Sequence, residues 1–80
     1  MALRILIADD HDMVRETIAM FLDADGETET VAASDLPEAM AKIEAEGPFD
    51  LVLLDYTMPG MKGLGALPKV MKANEDFFFF

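Results

Sequence analysis

The chain reads as an α/β fold built on a parallel sheet. Three observations point there. Short apolar runs of strand length alternate with stripes of helical period. The runs are continuous rather than alternating, as in strands buried on both faces. Turn and cap residues separate the elements at short, regular spacing. Together they imply right-handed crossovers and neighbouring parallel strands.

Leu3 to Ala8 forms the first strand and runs into Asp9-Asp10-His11-Asp12. Asp12 is the expected N-cap of a helix. Val14, Ile18, Phe21 and Leu22 mark its apolar stripe, and Gly26 its stop. Residues 27–33 read as a weaker second strand. Asp35 and Glu38 fit a capping box, with Pro37 in the first turn. Leu36, Ala39, Met40 and Ile43 form the second stripe, which Gly47-Pro48 ends. The third strand spans about Asp50 to Asp55 and meets the turn signal Pro59-Gly60. Leu64, Leu67, Val70 and Met71 suggest a third helix, weakened by Gly65 and Pro68. The final Phe77-Phe78-Phe79-Phe80 fits no helical stripe and is β-prone.

Eighty residues make one small domain. Hydrophobic residues reach 52%, too many for a disordered chain. There is no cysteine, so neither a disulfide framework nor a thiolate metal site is available. The net charge of -10 disfavours binding to nucleic acid. No apolar run approaches the roughly 20 residues of a membrane span. A cytoplasmic protein without membrane contact is the expectation.

The chemistry gathers at strand ends, where open α/β sheets bind ligands. If the first and third strands are neighbours, Asp9, Asp10 and Asp55 converge. Two carboxylates about 4 Å apart repel by roughly 4 kcal/mol at an effective dielectric near 20. Such a cluster calls for a cation or a shared proton. Oxygen ligands without cysteine favour Mg²⁺ or a similar ion. Acids after the first strand could instead only serve a helix N-terminus, but Asp55 at its distance favours the site. His11, a lone histidine, reads as a solvated loop residue, and the methionines as core filler.

Ile5-Leu6-Ile7-Ala8-Asp9-Asp10-His11 and Leu53-Leu54-Asp55-Tyr56-Thr57-Met58-Pro59-Gly60-Met61-Lys62-Gly63 together resemble the receiver domain of two-component response regulators. Asp10 and Asp55 are 45 residues apart (55 − 10), as in that family. Asp9-Asp10-His11 followed by Val14-Arg15-Glu16 is most similar to LuxR/FixJ-type receivers. The resemblance covers about residues 3–74. It implies a flavodoxin-like three-layer parallel sheet, here truncated to roughly three strands and three helices in the order 2-1-3. Residues 1–74 are then a truncated receiver and residues 75–80 an aromatic tail, a remnant or substitute fourth strand.

The same resemblance implies a phosphoacceptor module rather than an enzyme, at most phosphorylating itself from small donors. Asp55 would accept a phosphoryl group from a histidine kinase or phosphotransfer protein. Asp10, Asp55 and the backbone carbonyl of Thr57 would bind Mg²⁺, with Asp9 acting through water. Thr57 and Met58 would modulate the site. A complete receiver is longer: its fourth strand ends in Thr or Ser and its fifth in Lys. This chain carries neither position, so impaired transfer is expected. An uncovered third-strand edge would invite pairing. A homodimer or domain-swapped oligomer through Phe77, Phe78, Phe79 and Phe80 is therefore expected over a stable monomer.

Two other readings compete. One is a non-switching interaction fragment that dimerises through the third-strand edge. The other is a small metal-dependent phosphatase, disfavoured because haloacid-dehalogenase-type enzymes need an Asp where Thr57 stands. Gly63-Leu64-Gly65 does not continue into a dinucleotide fingerprint, since Pro68 takes the third glycine's place.

Overall fold

A computed structural model describes residues 3–24, 26–55, 57, 58, 72, 74 and 76–79. The elements, in chain order, are β1 (Leu3–Ala8), α1 (Asp12–Asp23), β2 (Thr28–Ala33), α2 (Leu36–Glu46), β3 (Leu51–Leu54) and β4 (Phe77–Phe79). The strands form one sheet in the order β2-β1-β3-β4, and each neighbouring pair is parallel. The third helical stripe, Leu64 to Met71, lies outside the described residues.

Continuous apolar runs become central strands because both sheet faces must be covered. Leu6 and Ala8 of β1, with Val52 and Leu54 of β3, pack against Leu36, Ala39 and Ile43 of α2. Phe49 and Met58 join this core. Ile5 and Ile7 alternate to the opposite face, where α1 lies over β1 and β2.

The caps show why the helices start and stop where they do. Asp35 Oδ1 accepts the Glu38 N–H at 2.8 Å. Glu38 Oε1 reaches back to the Ser34 N–H at 2.6 Å. The expected capping box thus closes one residue earlier than Asp35 itself. Gly47 ends α2, and its N–H donates to the Ile43 carbonyl. A Cβ there would stand 2.4 Å from that oxygen, so only glycine fits. Gly26 follows α1 at φ 72°, a conformation glycine adopts without penalty. The N-cap of α1 is His11, not Asp12, and it makes no side-chain cap bond. Asp12 is instead the acid of the first turn, where the helix dipole favours it.

Two further expectations change. The stripe of α1 is only partly covered: Ile18 and Leu22 are half-buried, while Phe21 is 81% exposed. The helix packs on β1 and β2, while Val14 and Phe21 stay exposed. The third strand is also not an edge. Val52, Leu53 and Leu54 pair with Phe77, Phe78 and Phe79, so β4 takes the edge instead. The expected order 2-1-3 stands, with β4 as the substitute fourth strand beside β3, so the third-strand edge is covered within the chain.

A polar clasp holds β4 in place. The buried Asn74 accepts the Phe49 N–H at 2.7 Å and donates to the Asp76 carbonyl at 2.8 Å. That same carbonyl accepts the Val52 N–H at 3.0 Å, the first ladder bond between β3 and this segment. Asn74→Leu removes both clasp bonds and leaves a buried N–H at Phe49 unpaired. It should lower unfolding free energy by about 1–3 kcal/mol, read by urea denaturation. Amide exchange at Val52 should quicken more than at Leu6.

Candidate functional site

The site begins where two parallel ladders run one residue past their strands. The Asp9 N–H donates to the Ala33 carbonyl at 3.0 Å, and the Asp55 N–H to the Ala8 carbonyl at 2.9 Å. Since Ala8 pairs with Leu54, the next residues, Asp9 and Asp55, end side by side. Asp9 is 2% exposed and Asp55 6%, whereas Asp10 faces solvent.

Local bonds fix each carboxylate. Asp55 Oδ1 accepts both the Thr57 N–H at 3.0 Å and the Thr57 hydroxyl at 2.8 Å. The Met58 N–H donates to the Asp55 carbonyl at 3.1 Å, closing the turn. Asp9 Oδ1 accepts the His11 N–H at 2.8 Å. Arg15 of α1 donates to the Asp9 carbonyl at 2.6 Å and pairs with Asp12.

His11 is solvent-exposed just ahead of α1, as the sequence suggested, and its ring also meets the acidic cluster. The ring is largely exposed, yet Nδ1 points inward. It lies 2.8 Å from Asp9 Oδ1, 3.1 Å from Asp10 Oδ1 and 3.8 Å from Asp55 Oδ2. One ligand atom each from Asp9, Asp10, His11 and Asp55 falls within 4.8 Å of the others. Three hard oxygen donors this close fit a divalent cation such as Mg²⁺.

Electrostatics follow from this geometry. Burial pushes Asp55 upward. The Thr57 N–H and hydroxyl, a hydrogen bond shared with Asp9, and the charge of His11 outweigh it, so its carboxyl sits below the usual range. His11 is held above its ordinary value. Its hydrogen bond to Asp9 contributes most, then the charge of Asp10, against some desolvation, with the charges of Asp9 and Asp55 adding.

The structure therefore brings together Asp9, Asp10 and Asp55, with Thr57 bonded to Asp55. Met58 is 2% exposed and packs in the core beneath the site. Phe78 stands apart on β4 and is 62% exposed. The side chains of Phe77 and Phe79, and all of Phe80, lie outside the described residues.

The profile of the response regulator receiver domain matches residues 5–78. The chain belongs to the response regulator receiver family. It is 40% identical over 75 residues to the response regulator GacA of Pseudomonas viridiflava, covering 92% of this chain and 35% of that protein. It is 36% identical over 75 residues to the transcriptional regulatory protein LiaR of Bacillus subtilis, with the same coverage. A protein-glutamate methylesterase/protein-glutamine glutaminase of Oleidesulfovibrio alaskensis is 43% identical over 73 residues, 90% of this chain and 20% of that protein. The chain thus spans about a third or less of the length of these relatives. Among the described residues of this receiver, no helix is long and apolar enough to cross a membrane.

The raised pKa of His11 is testable in the metal-free protein. NMR titration of the ring should give a midpoint above about 6.5, falling back toward it in Asp9→Asn. A folded value above the unfolded one stabilises fully below about pH 6.5. That contribution is lost as pH rises through the folded value. Unfolding free energy should therefore decline across this window in wild type, and the decline should vanish in His11→Ala.

Proposed function

We propose that this receiver accepts a phosphoryl group on Asp55 from a histidine kinase or phosphotransfer protein. Asp10, Asp55 and the Thr57 carbonyl hold Mg²⁺, and Asp9 holds it through water. The observation that supports this most is the state of Asp55. It is a buried strand-end carboxylate, kept ionised by Thr57, with Oδ2 facing the acidic cluster. A bound Mg²⁺ supplies charge neutralisation for the phosphoryl oxygens.

The chain's own residues do the rest. Thr57 fixes the Asp55 carboxylate through Oδ1, and that carboxylate attacks phosphorus. Attack forms an O–P bond, and the bond from phosphorus to the donor breaks. The donor leaves with its electron pair. Burial excludes water from one side of the acyl phosphate. Thr57 and Met58 follow the phosphoacceptor and modulate its hydrolysis, Thr57 through its hydroxyl and Met58 by fixing the turn.

Incubation with acetyl phosphate and Mg²⁺, read by intact mass, tests this. A phosphoryl adduct should form on wild type and be absent in Asp55→Asn. No adduct on wild type supports a non-switching interaction module instead. Turnover of a generic phosphate ester would point to a phosphatase.

A homodimer formed through β4 is a second reading, favoured by the exposed Phe78 on an uncharged edge strand. Light scattering at micromolar concentration should show a dimer that Phe78→Lys weakens. A clean wild-type monomer would overturn it.

A further inference from the structure

We infer that His11 Nδ1 is a further ligand of the acidic cation site and biases it toward nitrogen-preferring divalent ions such as Ni²⁺ and Zn²⁺. The inference rests on the cation-binding reading above and concerns which ion that site takes.

The spacing is that of a donor set. At metal–donor bonds of about 2.1 Å, neighbouring donors of an octahedron sit about 3.0 Å apart and opposite ones about 4.2 Å. Nδ1 lies 2.8, 3.1 and 3.8 Å from oxygens of Asp9, Asp10 and Asp55. It stands beside the Asp10 and Asp55 oxygens as a third side-chain donor, while Asp9 keeps its place through water.

The backbone holds the ring there. The His11 N–H is bonded to Asp9 Oδ1, and His11 caps α1 with φ -102° and ψ 112°. The ring is 64% exposed, so it can turn its lone pair onto an ion without disturbing the core. The ion takes the place of the proton that Nδ1 shares with Asp9 Oδ1, so this one hydrogen bond is exchanged for the metal bond.

Chemistry decides the preference. Carboxylates suit Mg²⁺, whereas imidazole suits Zn²⁺ and Ni²⁺. Asp10 and Asp55 alone leave the choice to oxygen ligation. One added nitrogen strengthens binding of Ni²⁺ and Zn²⁺ while doing little for Mg²⁺.

The full chain carries one histidine, so its ring signals need no assignment. Zn²⁺ is titrated into ¹⁵N-labelled protein and the ring nitrogens are followed by NMR. Nδ1 should shift, and the shift should be lost in Asp55→Asn. Calorimetry then compares Ni²⁺ and Mg²⁺ on wild type and His11→Ala, with circular dichroism confirming the fold. Ni²⁺ affinity should fall about tenfold or more in the variant, and Mg²⁺ affinity by less than about twofold. An unmoved Nδ1 while Zn²⁺ binds overturns the inference and leaves the Mg²⁺ reading standing. Equal losses for both ions in His11→Ala do the same. Failure of wild type to bind any of these ions overturns both.

Discussion

Everything at the candidate site depends on two backbone hydrogen bonds, from Asp9 N–H to Ala33 and from Asp55 N–H to Ala8. Each carries a parallel ladder one residue beyond the last residue of its strand. Without them the two carboxylates would be loop residues, free to separate and hydrate. With them, two acids are held almost fully buried side by side, against a repulsion of several kcal/mol. Parallel pairing is the cause. Strands that run in the same direction place their C-terminal ends, and so their first loop residues, at the same edge.

That edge rests on the better packed of the two sheet faces. Leu6, Val52 and Leu54 are fully buried against α2, and Met58 reaches the same core immediately after the Asp55 turn. Burying each large side chain contributes about 1.5–3 kcal/mol. The Asp55 turn is therefore anchored on both sides by core residues. The α1 face differs: Ile5 and Ile7 are covered, but Val14, Phe21 and Phe78 are not. The buried core lies beneath the carboxylates, where electrostatic preorganisation calls for packed support.

The first five elements were legible in the sequence because strand and helix periods differ and caps punctuate them. Asp35, Glu38 and Gly47 bounded α2 almost to the residue. The acidic cluster was legible because three acids lay at the ends of two apolar runs. Other features were not. Helical period shows which face of α1 is apolar, not whether anything covers it. A strand in Phe77–Phe79 had only aromatic β-propensity to announce it, while its position depends on Asn74 meeting Phe49, 25 residues away. No local pattern encodes that contact. The exposure of His11 was legible, but the contact of its ring with the acids was not, because a lone histidine has no ligand partner of its own kind. The signal lay in its neighbours, two acids directly before it.

His11 also changes how the cluster connects to the rest of the domain. Its backbone carbonyl accepts the Arg15 N–H, the first turn of α1. Its own N–H and ring both hold Asp9, and the Arg15 side chain holds the Asp9 carbonyl. The first turn of α1 and the end of β1 are therefore one hydrogen-bonded unit around a buried carboxylate. Asp55 Oδ2 lies 3.8 Å from the ring of that unit. One imidazole therefore stands between the end of β3 and the first turn of α1, so the two strand ends and the helix start share a single polar cluster.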